Sequence, residues 1–281
     1  MTQLKSLKSL LCSTVITATL GLSAVASLHA YADYDPSSAT LEKVVSGEHR
    51  SAKNKARDKY RNPIETLKFF GFTPEMTVVE LTPGGGWYTE ILAPALKETG
   101  KYYGAHYPDT GEDNYYSNSR KSLEKKIDSH DIYSDVILTD FIPRKQSELA
   151  PQGSADLVLT FRNLHNWKDS GVEQVFKDAY TALKPGGVLG VVEHRLPVGV
   201  APENAAGYVS EVKTIKQAKA AGFRFAGASE INANAKDMAQ YPKGVWTLPP
   251  SLRLGETDKD KYLAIGESDR MTLKFVKPED K

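Results

Sequence analysis

One cysteine occurs in 281 residues, Cys12, and it lies within the first apolar stretch of the chain. Beyond that stretch there is no thiol for a disulfide or for cysteine chemistry, which suits an oxidising compartment without proving one. Leu11 before it is not the small residue that lipid attachment needs. Acidic side chains are also missing at the start. None precedes Asp33, while Lys5 and Lys8 lead into a mostly apolar run from Leu10 to Leu28 and a small-residue A-x-A site at Ala30-Tyr31-Ala32. That order predicts a secretory signal peptide over residues 1–32 and a periplasmic or secreted protein. An uncleaved membrane anchor is the alternative; the Ser and Thr that dilute the run count against it. No later segment is apolar enough to cross a bilayer. A strong charge of either sign is lacking too. Cleavage would remove two of the 36 basic residues and none of the 35 acidic ones, leaving a net charge of −1. Such a chain offers no strong overall field for nucleic acid or anionic lipid. Repeats and low-complexity tracts are absent, and the six histidines show no helical metal-ligand spacing, so no metal is expected.

What is present is an alternation of apolar strands and amphipathic helices. Residues 33–61 read as a polar leader followed by a charged helix from Leu41 to Arg61. The basic residues Arg50, Lys53, Lys55, Arg57, Lys59 and Arg61 form either a solvated face or a partner-binding patch. Asn62, Pro63 and Glu65 have the spacing of an N-cap, first helical position and capping partner, with Gly71 as the stop. Strands are expected at Thr77–Leu81, Lys101–His106, Tyr133–Leu138, Ala155–Phe161, Val188–Glu193, Phe223–Ile231 and Met271–Val276. Helices are expected at Trp87–Glu98, Ser117–Ile127, Val172–Leu183 and Tyr208–Ala221. This pattern implies an α/β domain over residues 62–281: a mostly parallel seven-stranded sheet with helices on both faces. No helix separates the last two strands, so the last is expected to run antiparallel. Residues 232–270 are too long for an ordinary loop and predict a lid or substrate-binding insertion.

Ligands of such sheets bind beyond the carboxyl ends of the strands, near the point where strand order reverses. The glycine turn Thr82-Pro83-Gly84-Gly85-Gly86 falls there. Glycine lets backbone approach a ligand closely. The turn lacks the third glycine of a dinucleotide site, where Thr89 stands, and no Gly-Lys-Ser/Thr follows to make a P-loop. The turn alone does not name its ligand.

The stretch Val78-Val79-Glu80-Leu81-Thr82-Pro83-Gly84-Gly85-Gly86 resembles the first motif of the class I S-adenosylmethionine (SAM) dependent methyltransferases. Asp156 to His165 is similar to their fourth strand and the loop after it, and Leu183-Lys184-Pro185-Gly186-Gly187 to the turn before their fifth strand. Order and spacing agree over about 200 residues. The pair Phe161-Arg162-Asn163 and Leu183–Gly187 looks most like the quinone C-methyltransferases, and the whole chain like exported methyltransferases of unassigned substrate. The resemblance implies a Rossmann-like fold, SAM as cofactor and a small-molecule acceptor, either soluble or membrane-associated. It implies that Gly84 and Gly86 lie under the cofactor and that Glu80 supports the loop. Asp140 and Phe141 would flank the adenine, with Arg162 and Asn163 at the reacting end. Two positions depart from the family: Thr82 stands where a glycine is usual, and His106 where an acid grips the ribose, with Asp109 the nearest acid.

Methyl transfer from a sulfonium needs alignment and exclusion of water, and a base only where the nucleophile must lose a proton. His165, beyond the fourth strand, is the first candidate for that base; a packing or hydrogen-bonding role is the alternative. Glu193, His194 and Arg195, at the end of the fifth strand, either bind a polar substrate or form a local ion pair. Tyr208 and Glu211, read as one helical turn apart, are weaker candidates. Trp87 and Tyr88 pack either against the ligand or into the core. A binding protein that keeps the fold without turnover is the rival to an enzyme.

Overall fold

Strands in the middle of a parallel sheet are covered on both faces and lose the polar-apolar alternation of half-exposed ones. Strand β1 (Thr77–Leu81), read as a period-free apolar run, is such a strand: four of its five residues are buried. The computed structural model describes residues 36–279; the signal reading for residues 1–32 lies outside them. No described helix is long and apolar enough to cross a membrane.

Seven strands form one sheet: β1, β2 (Lys101–His106), β3 (Val136–Asp140), β4 (Ala155–Phe161), β5 (Leu183–His194), β6 (Arg224–Ser229) and β7 (Arg270–Val276). Their order is β3-β2-β1-β4-β5-β7-β6. All neighbouring pairs are parallel except those of β7, which runs antiparallel to both β5 and β6. The chain moves outward from β1 on one side and restarts at β4 on the other. The strand order therefore reverses between β1 and β4, where a ligand site is expected. The edge strand β6 alternates exposed and half-buried residues, as one-sided cover requires.

Alternate side chains of the same strands feed two cores. Val79, Leu81, Val158, Leu189 and Val191 pack with Val175, Phe176 and Ala179 of α7 (Leu164–Ala182) and Ala218 of α8 (Glu211–Ala220). Val78, Leu157, Leu159 and Val192 pack with Leu41 and Val44 of α1 (Pro36–Ser46), Leu67 and Phe70 of α4 (Pro63–Phe70), and Ile91 and Leu92 of α5 (Thr89–Leu96). A fully buried Leu or Phe contributes about 1.5–3 kcal/mol here. A third, smaller cluster joins Ala205 and Tyr208 to Ala239 and Val245 of the insertion. Gly244 makes that junction possible: a Cβ there would stand 2.1 Å from the Ala206 carbonyl oxygen. The rest of the insertion includes α9 (Lys259–Ile265).

Several boundaries differ from the sequence reading. The stretch 41–61 is not one helix but the end of α1, then α2 (Ala52–Lys55) and α3 (Asp58–Arg61), with Ser51 capping α2 by accepting from Asn54 N. Asn62 does not cap α4 through its side chain. It sits at φ 39°, and its amide donates to the Ile231 carbonyl instead. Helix α6 (Tyr115–Ile127) begins two residues early because Asn114 caps it. Tyr133 belongs to a 3-10 turn before β3 rather than to the strand. Tyr208 precedes α8, so Tyr208 and Glu211 do not share a helix; the Tyr208 hydroxyl donates to Asp237 instead. Helix α7 starts at Leu164, eight residues before the expected Val172.

Candidate active site

The carboxyl ends of β1, β4 and β5 open into a cleft of about 750 Å³. The insertion supplies one wall through Val245, Trp246, Pro249 and Arg253, and the α2–α3 segment another through Lys53, Arg57 and Arg61.

The tip of β1 presents the glycine turn. Gly84 has φ 61°, and a Cβ built on Gly84 or Gly85 would meet nothing within 4 Å, so both backbones face open cleft. Gly86 does not. A Cβ there would press on Lys126 and Leu123 of α6 at about 3 Å. Thr82 adopts a left-handed φ of 52°, and its buried Oγ1 has no hydrogen-bond partner among the described residues. A β-branched residue in that region is strained by roughly 1–3 kcal/mol. Arg162, at the tip of the adjacent β4, is left-handed as well, at φ 62°. Beneath the turn, Glu80 is buried and accepts from the Tyr102 hydroxyl at 2.6 Å. Burial raises its pKa to about 7. Asn163 donates to the Leu81 carbonyl at 3.1 Å, tying the β4 loop to β1.

At the reacting end, His165 sits in the first turn of α7 and lines the cleft. Its Nδ1 is 3.1 Å from Glu193 Oε1. Glu193 also accepts from the backbone N–H groups of Leu164 at 2.6 Å, His165 at 3.4 Å and His194 at 2.7 Å. One buried carboxylate thus caps α7 and orients the His165 ring. With Nδ1–H donating to it, Nε2 is the acceptor nitrogen, and Nε2 has no partner among the described residues. His194 pairs with Ser268 at 2.5 Å, and burial lowers its pKa well below the usual histidine value. His165, Glu193 and His194 bring potential metal-ligand atoms within 4.8 Å of one another. The Glu193 oxygens, however, are already engaged by these four N–H groups. Arg195 is tied to Asp269 at 2.8 Å and Glu230 at 2.6 Å, which is the local ion-pair reading.

Besides Gly86, three expected cofactor residues do not line the cleft. His106 is fully buried, with Nδ1 on the Tyr107 carbonyl at 3.0 Å and Nε2 on Ser119 of α6 at 3.2 Å. Asp140 points to solvent and pairs with Arg120 at 3.3 Å. Phe141 is a core residue packed on Trp167. Asp109, the nearest acid to His106, pairs with Lys121. Conversely, Arg57, Arg61, Arg270 and Trp246 line the cleft; the sequence reading names none of them singly as a site residue, placing the first two in the charged strip and the last two in the expected insertion. Trp87 and Tyr88 are buried core residues that also line the cleft. Tyr88 stacks on Phe161 at 3.6 Å, and Trp87 donates to the Asn54 carbonyl.

No protein-family model and no curated protein sequence matches the chain. Its fold does match solved structures. A SAM-dependent methyltransferase from Aquifex aeolicus superposes with a TM-score of 0.54 at 16% identity, over 87% of this chain and 99% of that one. The [4+2]-cyclase SpnF gives 0.56 at 13% identity, over 84% and 86%. A SAM-dependent methyltransferase from Methanosarcina mazei gives 0.50 at 12% identity, over 76% and 97%. Strand order, the antiparallel β7 and these likenesses together show that the chain has the Rossmann-like fold of the class I SAM-dependent methyltransferases.

Proposed function

We propose that the protein is a SAM-dependent methyltransferase of a small molecule, with the methionyl part of the cofactor over Gly84 and Gly85. The observation that carries this reading is the open glycine turn at the tip of β1, inside the cleft that also holds His165. Glu80, Thr82, Gly84, Gly85 and Asn163 fit that end of the cofactor: close backbone approach, an unpaired hydroxyl and a buried carboxyl for the amine. The adenosine end fits poorly, because His106, Asp140, Phe141 and Gly86 are covered by protein or face away. Bound SAM would supply a methyl group already activated on sulfur. His165 Nε2 would accept the proton of an acidic acceptor, with Glu193 stabilising the imidazolium, and the insertion would keep water out. Export is part of this reading and is supported by the charge order, apolar run and cleavage site in residues 1–32. The acceptor is then a small molecule of that compartment or of the adjoining membrane, not a nucleic acid.

The covered adenosine side favours a second reading, a ligand-binding protein that keeps the fold without methyl transfer. A neighbour of the same fold is a [4+2]-cyclase, so the fold alone does not settle the chemistry. Calorimetric titration with SAM and S-adenosylhomocysteine separates the two. Micromolar binding supports the methyltransferase, and no heat at millimolar ligand leaves the second reading.

A further inference from the structure

The cleft carries more positive charge than the protein neutralises. Arg57, Arg61, Arg162 and Arg270 all line it. Three of them share one ionised carboxylate, Glu267: Arg57 Nε at 2.6 Å, Arg61 Nε at 3.8 Å, and Arg270 Nη2 in direct contact. That concentration of cations holds Glu267 at a pKa of about 2. Glu80 adds at most one further negative charge.

Two of these guanidiniums, those of Arg61 and Arg270, are buried yet short of partners, while Arg57 and Arg162 are half-buried. The Arg61 side chain is 4% exposed, and its Nε and Nη1 make no hydrogen bond. Arg270, 3% exposed, leaves Nε unpaired. The Arg162 guanidinium has neither a hydrogen-bond nor an ion-pair partner among the described residues. Burial and its neighbour Arg270 lower its pKa to about 10. Arg162 also holds a left-handed backbone, and such strain persists only where the surroundings impose it. Buried, unpaired guanidinium groups cost several kcal/mol unless an anion meets them. Stability alone gives no reason to keep them.

We infer that this arginine wall binds a doubly charged oxyanion, a phosphoryl group, through Arg61, Arg162 and Arg270. Four guanidinium charges against one or two carboxylates leave an excess of two to three, of which a phosphate monoester dianion offsets two and a carboxylate only one. A single carboxylate, such as that of an amino acid, would leave at least one cation bare. A phosphoryl group has three terminal oxygens, enough to accept from three planar forks at once. The stacked Tyr88–Phe161 pair and Trp246, which carries Arg253 over its ring at 4.6 Å, give the same cleft aromatic walls for an apolar body. The ligand class is therefore a phosphorylated molecule with an apolar or aromatic part. Assigning that molecule as the methyl acceptor rests on the methyltransferase reading; the anion site itself does not.

The test is thermal unfolding and calorimetry of the wild-type protein with inorganic phosphate, against chloride at matched ionic strength. Phosphate is expected to raise the Tm with saturation, and chloride to leave it level. Arg162→Gln is expected to weaken phosphate binding at least about tenfold. It should also raise the Tm of the ligand-free protein, because an unpartnered cation beside Arg270 is gone. Glycerol 3-phosphate and phosphatidate vesicles then distinguish a soluble ester from a membrane-borne one, by which of them shifts the Tm or co-sediments. The inference falls if phosphate does no more than chloride, a result that needs no variant. It also falls if folded Arg162→Gln binds phosphate as the wild type does. S-adenosylhomocysteine titration reads the methyltransferase proposal separately, so either can fail alone.

Discussion

Glu193 Oε1 lies 3.1 Å from His165 Nδ1, while Oε2 of the same carboxylate accepts from the backbone N–H that opens helix α7. Position and tautomer of the histidine are thereby set by one buried group at the end of β5. A base must be both placed and correctly protonated to act. Were His165 such a base, β5 would do the first by fixing where α7 starts and the second by accepting the hydrogen bond of Nδ1–H. The contact spans two secondary elements 28 residues apart in the chain.

The first prediction separates these two duties. Glu193→Gln turns an acceptor into a partial donor facing backbone N–H groups, and should lower stability by about 2–3 kcal/mol. In the wild type, ring-nitrogen NMR shifts should show His165 with its proton on Nδ1, and the substitution should shift that balance toward Nε2. His165→Ala should leave S-adenosylhomocysteine affinity within about twofold and lower turnover of a proton-losing acceptor by about 10²–10⁴. A Glu193→Gln protein with unchanged Tm and unchanged His165 tautomer would sink the assignment.

A second prediction concerns Gly85, which has ordinary backbone angles and open cleft where a Cβ would stand. Gly85→Val should therefore change stability by no more than about 0.5 kcal/mol, since nothing in the protein is displaced. If the cofactor crosses the turn, the same side chain fills its place, and S-adenosylhomocysteine affinity should fall at least about 100-fold. Gly84→Ala behaves differently because its φ of 61° penalises any side chain, so a loss of about 1 kcal/mol accompanies it. Wild-type affinity in folded Gly85→Val would put the cofactor elsewhere.

The sheet was legible where burial and punctuation agree. Strands β1, β2 and β4 keep their expected bounds because each is a short apolar run closed by turn residues. The start of α7 was not legible, since its cap is Glu193, distant in sequence, and local rules see only Arg162-Asn163. Residue type and position in the pattern point to the glycine turn and His165, and both line the cleft. Of the arginine wall, the sequence singles out Arg162 as a cofactor residue, while Arg57 and Arg61 read only as part of a charged strip. Arg57 and Arg61 are spaced i, i+4, but whether that face meets solvent or a cleft depends on chain reversals around Gly47, Ser51 and Asn62. Nothing in the spacing encodes those reversals. His106 shows the converse: its position matched a ligand contact, and the packing of α6, through Ser119, took it out of the cleft.

The last prediction follows from two buried carboxyls shifted in opposite directions. Glu80 holds its proton to about pH 7 in the folded chain against a usual value of 4.5. Between those pH values the native state binds more protons than the unfolded one, so stability falls as pH rises. The contribution is complete below about 4.5 and amounts to about 3 kcal/mol lost by pH 8. Glu267 is shifted down to about 2, so its contribution is present above 4.5 and lost as pH falls toward 2. Both are intact together only near pH 4.5, and the Tm should peak in that mildly acidic range. Glu80→Gln, uncharged at every pH, should remove the decline above 4.5 and raise the Tm most at pH 8. Glu267→Gln should destabilise by roughly 3–5 kcal/mol, because it leaves its arginines unpaired. Parallel Tm profiles for wild type and Glu80→Gln between pH 4.5 and 8 would mean that Glu80 is ionised beneath the glycine turn. In that case it already presents a negative charge to the cleft, and the excess positive charge on the arginine wall is two rather than three.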